Sequence, residues 1–230
     1  MSLAGEGAVA IWHDIAPEGR DAFYAWHGEE HMPERVGIPG FLRGRRYVAT
    51  EAEEEFFNLY EAHSPQVLAG TDYRTRLDAP TPWTTATVKH FRRVSRSICA
   101  VAATFGRAQG GVMATVRYDV AEDGAADHRR ALREDLLPRV AGLPGVAGAH
   151  LLVADAEASA VDNAERKARG EPNLVPRWIV LVEGWGDEAP FAALCRGEVA
   201  SRLAEAGAGQ ARLGLYRLQA SRAKTAWSTG

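Results

Sequence analysis

Cysteine is nearly absent: the 230-residue chain holds two, Cys99 and Cys195, far apart and in no ligand-like spacing. That argues against a disulfide framework and suits reduced thiols in a cytosol. An excess of one charge is missing too. The formal net charge is −3 and Lys and Arg are scattered among acids, so no basic stripe is present to track a phosphate backbone and nucleic acid is not an expected partner. No stretch approaches the roughly 18 apolar residues that a membrane span needs, and the first five residues carry neither a charged region nor an apolar run. The expectation is a soluble, cytoplasmic protein without a membrane partner. Acidic side chains also vanish over one long stretch, since no Asp or Glu lies between Asp78 and Asp119. Gly110-Gly111 and Gly207-Ala208-Gly209 each precede an expected strand, which denies them the strand-to-helix setting of a phosphate loop; they read as linkers and turns.

What the chain does have is an internal echo. Pro33-Glu34-Arg35-Val36-Gly37-Ile38-Pro39-Gly40 returns 105 residues later as Pro138-Arg139-Val140-Ala141-Gly142-Leu143-Pro144-Gly145. This offset divides the chain into residues 1–105 and 106–230, each long enough for a core but expected to cover a bare sheet face with a partner. In the first unit, the apolar residues 8–14 read as a strand, and the spacing of Phe23, Trp26 and Glu30 reads as a helix over 18–36. Strands over 41–50 and 55–63, a helix from Ser64-Pro65 to about Leu77, and a Thr- and Val-rich strand over 84–94 follow. The second unit repeats the order, with strands over 112–120, 146–154, 177–185 and 211–219 and helices over 125–141 and 190–206. The expected fold class is α+β: two tandem ferredoxin-like (βαββαβ) repeats packing sheet to sheet as an intrachain α/β barrel, helices outside, with a lumen as the natural ligand site. Residues 155–176 form a polar insertion without β pattern, which its charge marks as a mobile loop.

Chemistry-bearing residues concentrate before the first Pro-Gly turn. His27-Gly28-Glu29-Glu30-His31 fits H-x-x-E-H, in which two histidines one helical turn apart bind zinc and the glutamate activates water. A catalytic zinc needs a third protein ligand, and the acid-free stretch removes the usual downstream acid, leaving Glu61 or His63 to substitute. The expectation is therefore no metal. The positions aligned with His27 and His31 in the second unit are Leu132 and Leu136, so chemistry is expected in the first half alone.

Trp26-His27-x-x-x-His31-Met32-Pro33, followed by Ile38-Pro39-Gly40-Phe41 and the arginine-rich Arg43-Gly44-Arg45-Arg46-Tyr47, resembles EthD-like members of the dimeric α/β barrel superfamily. The resemblance covers residues 8–95 best and the second half by topology and turn. It implies a barrel of ferredoxin-like units and a place among small monooxygenases, haem-handling enzymes, isomerases and dehalogenase-like or stress-response proteins. Many of these work without a cofactor, and none is expected here. The resemblance places His27 and His31 at the site without fixing a mechanism.

Strand alternation supplies an expected lumen. Val9 and Ile11, Phe57 and Leu59, and Ala86 and Val88 suit the helix side, with His13 and His90 there as structural histidines. That leaves Trp12, Asn58, Tyr60, Thr87 and Lys89 inside, with Arg43 or Arg45 joining from the second strand. A slip of one residue would exchange the faces and put Glu61 and His63 inside instead. On this reading His27 or His31 is a general base on a small organic compound held by Trp12, Asn58, Tyr60, Lys89 and Arg45, in an oxidation or isomerisation of a carbonyl or phenolic group. Two rivals stand beside it: a non-catalytic binding or assembly module with a filled barrel, and a haem-binding protein. A homodimer of such barrels stays open.

Overall fold

Eight largely apolar runs form strands β1 (Gly7–Ile15), β2 (Phe41–Glu51), β3 (Phe56–Ala62), β4 (Phe91–Gly106), β5 (Val112–Tyr118), β6 (Val146–Ala154), β7 (Trp178–Gly184) and β8 (Arg212–Ala223) in the computed structural model. It describes residues 2–160, 163–170 and 174–225. The strands close a barrel in the order β1-β3-β2-β8-β5-β7-β6-β4, all pairs antiparallel. Within it, β4-β1-β3-β2 and β8-β5-β7-β6 are two copies of one four-stranded order. They join through β2–β8 and β4–β6, which leaves no sheet edge. The recurring Pro-Gly turn has a conformational cause. Gly40 (φ 84°) and Gly145 (φ 85°) take the same left-handed conformation before β2 and β6, which a side chain disfavours.

Helices cover the outside. The first half carries α1 (Arg20–Trp26), a π turn at His27–His31 and α2 (Met32–Gly37), then α3 (Pro65–Leu68), α4 (Thr71–Asp78) and α5 (Pro82–Thr87). The second carries α6 (Ala125–Ala131), a π turn at Leu132–Leu136 and α7 (Leu137–Ala141), then α8 (Ala156–Ala160), α9 (Ala164–Arg169), α10 (Glu188–Leu194) and α11 (Ser201–Glu205). In both copies the wide turn directly precedes the proline-bearing turn, Pro33 or Pro138. Proline lacks an N–H and crowds the carbonyl one turn back, and the extra residue of a π turn accommodates that.

Two expected elements are corrected. The strand expected over 84–94 begins as helix α5, because Thr81 Oγ1 caps it by accepting from the Thr84 N–H at 3.0 Å and Pro82 fills its first turn. A capped start overrides the β propensity of Thr and Val, and β4 begins only at Phe91. The helix expected to run from Pro65 to Leu77 is broken at Gly70 into α3 and α4.

The lumen is filled. Ala8, Ala10, Trp12, Tyr47, Phe57, Leu59, Met113, Leu152, Ile179, Leu181 and Tyr216 pack together inside it, nearly all without solvent exposure. One end is ionic: Arg45 forks onto Glu183 at 2.9 and 3.2 Å, while Arg43 bonds Glu61 at 2.7 and 2.8 Å. At the other, Trp12 Nε1 donates to Thr115 Oγ1 at 3.2 Å, and the Arg117 guanidinium sits 4.7 Å over the Trp12 ring. Cys99 lies in this interior, whereas Cys195 lies under the helices of the second half. No helix among the described residues is long and apolar enough to cross a membrane.

The insertion expected to be a mobile loop is instead docked. Strand β6 pairs with β4 only from Cys99 onward, so the outer edge of residues 94–98 lacks a strand partner. The insertion supplies one: Arg96 N–H donates to the Leu174 carbonyl at 2.9 Å, Asp155 N–H to the Ile98 carbonyl at 2.8 Å, and Ile98 N–H to Ser159 Oγ at 2.9 Å. Unpaired backbone groups on a buried strand are costly, which accounts for a charged segment settling here. Residues 161, 162 and 171–173 of the insertion lie outside the described residues.

Candidate functional site

The polar cluster lies between helices and sheet in the first half, outside the lumen. Strand register sets Arg96 (β4), Ile11 (β1), Asn58 (β3) and Arg46 (β2) in one row facing the helices, with Tyr60 in the next. The π turn lays His27 and His31 over these rows with ring centroids 5.7 Å apart. Trp26, its indole N–H bonded to Thr84 Oγ1 at 3.0 Å, packs at a tilt against His31 with ring centroids 4.2 Å apart.

Hydrogen bonds fix the protons. Arg46 Nη1 lies 3.3 Å from Nδ1 of His27, and Tyr60 Oη lies 3.0 Å from Nε2. A guanidinium can only donate, so Nδ1 accepts, and the neutral ring must carry its proton on Nε2 and donate it to Tyr60. The phenol proton of Tyr60 is thereby left for another acceptor. Asn58 Nδ2 donates to His13 Nε2 at 2.8 Å, while His13 Nδ1 donates to the Asp14 carbonyl at 3.3 Å. Asn58 Oδ1 and His31 Nδ1 are then buried with no protein partner. Such groups are costly unless water or a ligand meets them.

Charge states follow from burial. His27, His31 and His13 are all pushed below the ordinary imidazole range, first by desolvation; Arg46 then adds to this at His27 and Arg35 at His31. His13 falls to about 3. Burial pushes the Tyr60 hydroxyl up. At neutral pH the cluster therefore consists of neutral imidazoles and a protonated phenol. Its cavity measures about 40 Å³, room for about three waters. Glu165 and Arg169 of α9 line its rim, and Glu165 pairs with Arg35. A helix from the second half of the chain thus completes a site in the first.

The second half provides an internal control. Its corresponding row is Leu213, Val116, Val180 and Leu151, with Val182 at the place of Tyr60 and Leu132 and Leu136 at the places of the histidines. These residues pack as an ordinary apolar core. The fold itself needs none of the polar groups.

Of the residues expected at the site, the structure brings together His27, His31, Asn58 and Tyr60, but beneath the helices and not in the lumen. Consecutive aromatics Phe56 and Phe57 hide the phase of β3, and the true register turns Phe57, Leu59 and Glu61 inward. Trp12 and Arg45 do face the lumen, on the other side of the sheet from the histidines. Lys89 is exposed on a 3-10 turn and reaches neither place, because the expected strand there is helical; Thr87 likewise lies in α5 and not in the lumen. His13 is a buried structural histidine on the helix side, as alternation predicts. Arg35, Arg46, Arg96, Tyr73 and Glu165 were not foreseen. For Arg35 and Arg46 the signal was available, since the 105-residue offset pairs them with Val140 and Leu151.

The residues do not fit the zinc pattern. Glu30 accepts from Thr81 and Thr84, both nitrogens of His27 are engaged, Glu61 is in the lumen and His63 is exposed. Among the described residues no three His, Cys, Asp or Glu side chains converge on a point. A haem fits no better, because a cavity of about 40 Å³ cannot admit a macrocycle.

No protein-family model matches the sequence, and no curated protein matches it. Solved structures do. An anthrone oxidase-like protein superposes with a TM-score of 0.61 at 14% identity, over 97% of this chain and 95% of that one. Monooxygenase candidates from Fusobacterium nucleatum (0.59, 7% identity, 96% of each chain) and Lactobacillus acidophilus (0.58, 11% identity, 95% of this chain and 96% of that one) follow the same path. The chain thus shares the fold of these proteins, an eight-stranded closed antiparallel barrel, here built from two ferredoxin-like units on one polypeptide.

Proposed function

We propose that the protein is a cofactor-independent enzyme acting on a small organic compound in the first-half cavity, and that the step it promotes is removal of a proton next to a carbonyl or phenolic oxygen. The observation that carries this reading is the contrast between halves: a polar, incompletely satisfied cluster occupies the place where the other copy packs Leu and Val. His31 is the base, through its unpartnered Nδ1. Tyr60 is the donor to the substrate oxygen, because His27, held by Arg46, already satisfies its acceptor side. A neutral buried imidazole is a weak base in the empty cavity, but an anion forming beside it raises its affinity for the proton. The resulting enolate either regains a proton at another carbon, an isomerisation, or reacts with dioxygen, an oxidation.

The packed lumen is the feature expected of a non-catalytic module and supports that second reading. The enzyme reading is supported by the cluster outside the lumen, with its unpartnered polar atoms. Proton abstraction is tested by deuterium wash-in at the acidic carbon of acetylacetone, a small 1,3-diketone, followed by NMR. The wild-type protein should accelerate exchange, with His31→Ala losing about 100-fold or more and Tyr60→Phe about 10–100-fold. Undiminished exchange in His31→Ala would remove His31 from the role of base.

A further inference from the structure

The cavity wall carries three arginines. Arg35, Arg96, Arg169 and Glu165 are its charged lining residues, and Glu165 is taken up by Arg35, which also has Glu34 at 3.7 Å. Arg96 differs from Arg35. It is only 8% exposed, its side chain donates to the Tyr73 hydroxyl at 2.9 Å, and among the described residues no carboxylate comes within 4 Å of it. A guanidinium withdrawn from water without a counter-ion is unfavourable, and its planar fork suits a carboxylate. The equivalent residue of the other half is Leu213, so the barrel does not require a cation there.

Arg96 also stands at a boundary. Together with Leu77 it lines a second cavity of about 60 Å³, whose other walls include the apolar Leu68, Ile98 and Ala158 and the polar Arg74, Asp78 and Asn163. Asp78 accepts from the Ala164 N–H at 3.3 Å, so it is directed at α9. On the near side of Arg96 the first cavity is walled by the rings of Trp26, Tyr60, Tyr73 and Phe91. An aromatic chamber with proton-transfer groups and a second chamber of mixed lining therefore share Arg96, which has no carboxylate within 4 Å among the described residues.

We propose that Arg96 anchors a carboxylate on the ligand, so that the protein takes small aromatic carboxylates, with the ring toward His31 and Tyr60 and any apolar extension passing Leu77 into the second chamber. This rests on the reading of the first cavity as the ligand site. Arg96 is a binding residue and takes no part in proton transfer.

The test compares benzoate with its neutral counterpart benzyl alcohol, titrated into the full chain and followed by the ring resonances of the probe. Benzoate should bind wild-type protein at least about 10-fold more tightly. Arg96→Gln should abolish the preference while binding benzyl alcohol as before, and Arg96→Lys should restore part of it. Leu77→Trp should weaken 2-butylbenzoate, whose chain lies beside the carboxylate, more than benzoate. Equal affinity of the wild type for the two probes, binding of neither, or a preference that survives in Arg96→Gln would overturn the proposal. The wild-type comparison decides even if Arg96→Gln fails to fold. Should benzoate bind through Arg96 while deuterium exchange stays at its uncatalysed rate, the anchoring role stands and the proton-abstraction reading fails.

Discussion

Glu183→Ala should lower the unfolding free energy by about 3–5 kcal/mol, the largest loss expected from any single side-chain truncation in the barrel. Glu183 is fully buried, accepts both prongs of the Arg45 fork and the Gly110 N–H at 3.0 Å, and lies 3.5 Å from His150. Burial alone would raise its pKa, but His150 and Arg45 outweigh it and hold the carboxyl at about 2. Removing it strands Arg45 in the lumen with only Glu61, which Arg43 already engages through both oxygens. Urea melts give the number. A loss below about 1 kcal/mol would show that water enters the barrel end and solvates the arginine. The double variant Glu183→Leu with Arg45→Met should recover most of the loss, since a buried pair replaced whole by apolar groups is close to neutral.

The second large effect is on pH. A histidine held neutral by the fold takes up no proton above its depressed pKa, whereas the unfolded chain takes one up below about 6.5. Stability is therefore fully present above that value and is lost as pH falls through the window beneath it. For His13, whose folded pKa is about 3, the loss between pH 7 and pH 5 is about 2 kcal/mol; His27 and His31 shift in the same direction and add to it. The melting temperature should accordingly fall steeply over these two units, before carboxylates titrate. His31→Leu, the residue of the other half, should flatten that slope and raise stability at pH 7 by about 1 kcal/mol, because it also removes an unpartnered buried nitrogen. A melting temperature constant from pH 7 to 5 would mean that the imidazoles are solvated.

The barrel was readable in the chain because its signals are redundant. Two copies of a glycine turn, apolar runs at the right separations and a matching helix before each turn all point to one topology. The face of β3 was not, because period-two alternation needs a polar marker and Phe56-Phe57 supplies none. Side-chain pairing with β1 decides it, and pairing is non-local. The same limit hides Arg96, since the strand expected over 84–94 ends two residues before it, whereas β4 runs on to Gly106. Glu165 was invisible for another reason: its insertion folds onto the opposite half, a contact across 130 residues to Arg35. The histidines are legible because the repeat sets them against leucine, and the same offset sets Arg35 against Val140 and Arg46 against Leu151.

The seams β2–β8 and β4–β6 have a further consequence. In a barrel built from two identical chains, every substitution appears twice, and a residue that burdens the fold burdens both sides. Here the short link between β4 and β5 makes each half separately variable. The polar cluster is carried once per barrel, and the leucine-and-valine half supplies packing without compromise. Stoichiometry reports this directly: a ligand should saturate at one per chain, where a symmetric barrel would take two.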